Sequence, residues 1–252
     1  MTTQSLRMLA MVLGLTILVA LVAPRAGAGE APGEPREPAA AQSPRAGSAP
    51  GPETPTAGFD MKPIDEFHAF LDKHDPDLTR AYRFEFKKPD GAEAIAALEK
   101  KLGFAVPTAL RSLWTTKGAL HSVWFGDSWQ TLTMDTAAEM AEHPVGLLQF
   151  IDHAWGGRPE LAAWLPGDAT AKINADYIVF GYRYEDDNVH DYFFFDRRGA
   201  FGHLHFDQDD MSDARAAVRA MAQTPPAGES FDELLGDQLA TIRQGVEEQI
   251  KE

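Results

Sequence analysis

The sequence predicts an α+β domain in which an antiparallel β-sheet, a meander, is packed against several helices. Three observations predict it. The stretch Tyr177–Asp207 is the densest apolar and aromatic run in the chain, and it falls into strand-length pieces. Those pieces are separated by loops of hairpin length, Glu185-Asp186-Asp187-Asn188 and Arg197-Arg198-Gly199. On both sides of the run, apolar residues recur at helical spacing, with Gly or Pro at the breaks.

The chain opens with Arg7, an unbroken apolar run from Met8 to Ala23, then Pro24, Arg25 and the small triplet Ala26-Gly27-Ala28. A charged start, a short apolar middle and an Ala-x-Ala exit predict a secretory signal peptide over residues 1–28. The apolar run is shorter than the ~20 residues that span a bilayer. An uncleaved anchor formed by residues 8–23 is the alternative. Residues 29–58 are almost entirely Ala, Pro, Gly, Glu, Ser and Arg and contain no aromatic side chain. Such a stretch cannot bury enough surface to offset the entropy of ordering, so it reads as a disordered linker. The folded domain is expected over residues 59–252.

Within that domain, Ile64, Phe67, Phe70 and Leu71 share one face of a helix that starts at Pro63. Tyr82, Phe84 and Phe86 alternate with charged residues, as in a strand with one wet face. Asp90 and Glu93 have capping-box spacing ahead of a helix bearing Ile95, Leu98 and Leu102, which Gly103 ends. Pro107 opens a helix lined by Leu110, Leu113 and Trp114, and Gly118 stops it. Val123–Phe125 and Thr131–Met134 suggest a small hairpin. Residues 135–164 are helical in pattern but broken at Pro144, Gly156-Gly157 and Pro159. The meander strands are Tyr177–Tyr184, Val189–Asp196 and Phe201–Phe206, with Gly199 supplying positive φ at the second turn. Ser212 is expected to cap a short helix. Ser230 and Glu233 form a second capping box before an apolar stripe of Phe231, Leu234, Leu235, Leu239, Ile242 and Val246.

The formal net charge is −15 over 252 residues. Losing Arg7 and Arg25 with the leader leaves 21 basic against 38 acidic residues, a balance of −17. A surface of that sign repels phosphate backbones and excludes nucleic acid as a partner, while it suits a basic protein. The absence of cysteine removes disulfides, thiolate metal sites and cysteine nucleophiles.

The candidate partner-binding residues are acidic and aromatic. Asp186 and Asp187 lie in the first meander loop, and Asp207, Asp209 and Asp210 follow its third strand. Successive hairpins bring those two places to the same end of the sheet, with Tyr184 beside them. Gathered oxygen ligands of this kind can hold Ca²⁺, but the Gly and distal Glu of an EF-hand loop are missing, and a solvated acidic rim explains the same cluster. His203 and His205 are two apart on one strand and share a face, which makes them candidate zinc ligands or ordinary surface histidines. The aromatic set Trp124, Trp129, Trp155, Trp164, Tyr182, Tyr184 and Tyr192 either lines a groove or packs the core. No nucleophile elbow, phosphate loop, dinucleotide fingerprint or His-Glu-x-x-His is present. No catalytic residue and no cofactor is assigned.

Two stretches resemble one family. Ala94–Leu120 places Leu98-Glu99, Leu102-Gly103, Val106-Pro107 and Gly118 in the order of the opening signature of the SUKH superfamily. That group contains fungal cell-wall-assembly regulators and bacterial toxin-immunity proteins. The meander and the Ser230-Phe231 helix start are similar to its late strands and closing helix. Val106 stands where the family usually has Leu, and Lys117 where it has Asn. The resemblance implies helices against an antiparallel sheet and a non-enzymatic protein-binding role. The expected function is therefore an exported, periplasmic or extracellular binding domain for a basic protein, neutralising a toxin or engaging the cell envelope. An envelope-assembly scaffold is one alternative. A periplasmic metal-dependent hydrolase built on His203, His205 and nearby aspartates is another. The chain itself is expected to be monomeric, touching membrane only through an uncleaved N-terminal segment.

Overall fold

The computed structural model describes residues 60–74, 82–125, 129–155, 165–184 and 188–250. The expected leader and linker lie outside them. Among the described residues no helix is long and apolar enough to cross a membrane.

Helix α1 (Lys62–Leu71) has Pro63 in its first turn and buries Ile64, Phe67, Phe70 and Leu71, the face its spacing predicts. Strand β1 (Tyr82–Phe86) precedes α2 (Ala92–Leu102) and α3 (Thr108–Thr116). Gly103 closes α2 in the left-handed region at φ 76°. Glu99 then pins the turn between the two helices. Its carboxylate accepts the Val106 amide at 2.9 Å and pairs with the Arg111 guanidinium. Strands β2 (Leu120–Phe125) and β3 (Trp129–Met134) lead to α4 (Ala137–Glu142), α5 (Leu147–Ala154) and α6 (Gly167–Asp176). The chain finishes with β4 (Tyr177–Tyr184), β5 (Val189–Asp196), β6 (Phe201–Asp207), α7 (Ser212–Gln223) and α8 (Phe231–Ile250).

The six strands form one sheet in chain order, β1 to β6, every neighbouring pair antiparallel. The three-strand meander of the sequence is thus half of a longer one. Helices cover both of its faces. On one, α1, α2, α3 and α8 pack against Leu120, Leu132, Ile178, Phe180, Phe193, Phe195 and Phe201. On the other, α5, α6 and α7 pack against Tyr177, Val179, Tyr192, Phe194, Leu204 and Phe206. Double cover explains why β4 and β5 read as near-continuous apolar runs instead of alternating ones. The second core draws its described buried hydrophobics only from β4–β6 and these helices, and none from β1–β3.

A bulge in β4 sets which side chains reach which face. The register with β5 passes from Val179↔Phe194 to Gly181↔Phe193, leaving Phe180 as the extra residue. Alternation restarts beyond it, so Tyr182 packs with the second core and Arg183 turns toward α8. Only glycine fits at 181, where an added Cβ would stand 2.6 Å from the Thr133 carbonyl oxygen.

Two capping expectations are corrected. Asp90 does not cap α2, whose N-cap is Gly91 without a side-chain bond. It accepts instead from the Ala137 amide at 2.8 Å and the Ala138 amide at 3.4 Å, at the start of α4. That helix is capped locally by a Thr136–Glu139 box, and local spacing cannot reveal the further carboxylate supplied from 47 residues away. Ser212 is the first residue of α7, not its cap, and its amide is accepted by Asp210 at 3.0 Å. The Ser230–Glu233 box is present, with the Ser230 amide donating to Glu233 at 2.8 Å and the Glu233 amide to Ser230 Oγ at 3.2 Å. Helix α6, for which the sequence offers no stripe, buries only Ile173.

Candidate functional site

The meander brings the end of β4, the start of β5 and the end of β6 together. Tyr184 lies opposite His190, and Val189 opposite Asp207. The end of β4, the start of β5 and the acidic turn after β6 therefore share one end of the sheet. Asp186 and Asp187 lie outside the described residues. Asp207, Asp209 and Asp210 form an ordered turn. Asp207 Oδ1 accepts the amides of Asp209 at 2.8 Å and Asp210 at 3.3 Å. Asn188 Nδ2 reaches across from the β5 side to donate to Asp209 Oδ2 at 2.9 Å, and Asn188 O accepts the Gln208 amide. The Ser212 hydroxyl and amide hold the Asp210 carboxyl below its usual range.

These carboxylates are thus fixed by the turn and the start of α7. Among the described residues no group of three or more His, Cys, Asp or Glu side chains is placed to hold a metal. Asp209 and Asp210 are exposed and Asp207 is half-buried. Tyr184 shares the end of the sheet with them, on the opposite face of the strands from Asp207. It meets the His190 ring edge-on at 4.8 Å. Behind it, Trp155 packs on His190 and Phe206 at 4.9 and 5.3 Å, and its Nε1 donates to Tyr192 OH at 2.7 Å. Trp155 and Tyr192 therefore belong to the packing, as the core alternative has it. Trp164 lies outside the described residues, as do the side chains of Trp124 and Trp129.

The first face carries a polar network that the sequence reading missed. Arg183, Asp191 and His205 are cross-strand neighbours on β4, β5 and β6. Arg183 and Asp191 are 6% and 5% exposed. Arg183 Nη2 donates to Asp191 Oδ2 at 2.5 Å, and its Nε to Gln238 Oε1 of α8 at 2.9 Å. Asp191 Oδ1 contacts Nδ1 of the exposed His205 at 2.8 Å. The signal was available at Asp191, which interrupts an aromatic strand two residues before the buried Phe193. A charge so placed needs a partner.

A second polar row crosses β1–β4 on the opposite face, where Glu85, His121, Thr133 and Tyr182 are successive register partners. His121 Nδ1 lies 3.0 Å from Thr133 Oγ1, and Tyr182 is hydrogen-bonded to the same threonine. Asp135 continues the row beyond Thr133. Burial pushes its carboxyl up to about 6, with Glu139 adding to the rise and Lys87 and His143 opposing it. Lys87 Nζ is itself bound to both oxygens of Glu139, at 2.8 and 3.1 Å.

Comparison of the chain with protein-family models, with curated proteins and with solved structures finds no match.

Proposed function

We propose that this chain is an exported, non-enzymatic protein-binding domain of SUKH-like type, and that the end of the sheet bearing Tyr184, Asp207, Asp209 and Asp210 contacts a basic partner. The observation that carries the reading is the ordered acidic turn beside a half-buried aromatic pair, Tyr184 and His190. Carboxylates held by backbone amides are pre-organised, so little entropy is lost when a cationic surface meets them. Acidic charge steers encounter and selects the partner, while aromatic anchors supply affinity. The leader-like residues 1–28 support export, and the composition of residues 29–58 supports a tether that gives the domain reach. Toxin neutralisation and engagement of an envelope protein both fit this surface, since each requires a basic protein partner.

The test is recovery of the bound protein with tagged chain from the cell envelope, followed by dissociation rates for the chain and for Tyr184→Ala. The reading expects a basic partner that leaves the variant at least tenfold faster. A neutral or acidic partner, or an unchanged dissociation rate, contradicts it.

A further inference from the structure

On the face of β6 that looks toward α8, two exposed histidines each have a carboxylate behind them. His203 and His205 have side chains 42% and 51% exposed. They are two residues apart on one strand, which puts them on the same face about 7 Å apart along it. Asp191 Oδ1 sits 2.8 Å from His205 Nδ1, and Glu229 Oε1 sits 3.8 Å from His203 Nδ1. In both rings Nδ1 is the nitrogen nearest a carboxylate, within hydrogen-bond range at His205 and as a looser ion-pair contact at His203. At His205, Asp191 accepting from Nδ1–H fixes the tautomer that leaves the Nε2 lone pair available.

The support behind His205 is built deep. Asp191 is buried, and its other oxygen is held by buried Arg183, which is bonded in turn to Gln238. A buried Arg–Asp pair gains little stability over an apolar pair of the same volume. What it does here is hold one carboxylate oxygen against a surface imidazole. Carboxylate-backed histidine is the outer-shell arrangement that orients metal-binding imidazoles and raises their basicity.

We propose that His203 and His205 form a two-histidine site for a divalent transition ion, bound through both Nε2 atoms, with the His205 ring oriented by Asp191. Imidazole donors select Cu²⁺, Ni²⁺ and Zn²⁺ over Mg²⁺ and Ca²⁺, and among the first-row ions Cu²⁺ binds most tightly. Among the described residues no third side chain completes a closed set, so the remaining positions fall to water or to a ligand from a partner. The site is therefore an open, exchangeable one. It does not depend on the acidic turn, and either proposal can fail without the other.

The test is calorimetric titration of the full chain with Cu²⁺ and, separately, Zn²⁺, with electron paramagnetic resonance of the Cu²⁺ form. The expected result is one equivalent bound through two imidazole nitrogens, with Cu²⁺ tighter than Zn²⁺. His203→Ala and His205→Ala each weaken binding at least tenfold, and each removes one nitrogen from the spectrum. His143 and His153, whose rings stack at 6.4 Å elsewhere on the surface, serve as the control, and the doubly alanine-substituted chain binds as the parent does. Unchanged affinity in either the His203 or the His205 variant overturns the site, as does loss of binding in the His143/His153 variant.

Discussion

At the scale of single residues, two acids, the buried Asp191 and the half-buried Asp135, govern what the molecule tolerates. Asp191 is paired with Arg183 and buried with it. Asp191→Ala leaves the guanidinium inside without its carboxylate, and breaking such a pair costs about 3–5 kcal/mol. Replacing both, with Arg183→Met and Asp191→Leu, returns most of that loss. Urea unfolding of the parent, single and double variants checks the ordering. Asp135 behaves in the opposite sense. Its folded-state pKa of about 6 lies above the ordinary 3.8 because burial penalises the ionised form. The fold therefore favours the proton, and the penalty is absent below about pH 4 and grows as the pH rises through 6. It reaches at most about 3 kcal/mol, at about 1.4 kcal/mol per pKa unit. Asp135→Asn is expected to be more stable than the parent at pH 7.5 and equal to it at pH 4. Parallel stability curves for the two would show that Asp135 is not strained. Of these residues, Asp191 was legible as the interruption of an apolar strand. Asp135 was not, because its burial comes from tertiary surroundings that no local pattern encodes.

At the scale of elements, periodicity carried most of the information. The apolar stripes of α1, α2, α3 and α8 reach the first core at the residues their spacing names, apart from Leu102, which is partly buried. All six strands were legible, the last three from β-branched and aromatic runs between turn residues. Cover of both sheet faces was not read, although three consecutive phenylalanines, Phe193–Phe195, already require apolar surroundings on each side of a pleated strand. The bonds from Asp90 to the first turn of α4, which Thr136 and Glu139 cap locally, were hidden for a different reason, since they join elements distant in sequence. Turn glycines allow a paired test. Gly103 and Gly118 both have positive φ, but a Cβ at 103 meets nothing within 4 Å, whereas at 118 it would lie 1.8 Å from the Lys87 carbonyl oxygen. Gly103→Ala should cost only the left-handed penalty of about 1–2 kcal/mol. Gly118→Ala must also displace the chain at Lys87, so its melting temperature should fall distinctly further. Equal melting temperatures for the two variants would contradict that packing.

At the scale of the whole molecule, the core is shared between helices distant in sequence, α1 and α8 among them. Ending the chain at Gly228 removes Phe231, Leu234, Leu235, Leu239, Ile242 and Val246 from that core. Each large apolar side chain is worth about 1.5–3 kcal/mol buried, against a typical net stability of about 5–15 kcal/mol. A chain so shortened should not fold cooperatively. One that starts at Phe59 should melt with the full chain, because residues 29–58 contain no aromatic side chain to bury. The binding surface was legible in outline, since a meander must return its first loop and third strand to one end. The division of Tyr184 and Asp207 between the two faces was not, because it follows from the bulge at Phe180.

An acidic end that steers a basic partner shows itself in the kinetics of association. Asp207, Asp209 and Asp210 are replaced together by Asn, whose side-chain oxygen still accepts the amides that order the turn. Association with the recovered partner is then followed at low and at high salt. The account predicts that the triple variant associates several-fold more slowly than the parent at low salt, with a flatter salt dependence and an unchanged melting temperature. Association as fast as the parent's, with the same dependence on salt, would show that the acidic turn is only a solvated edge.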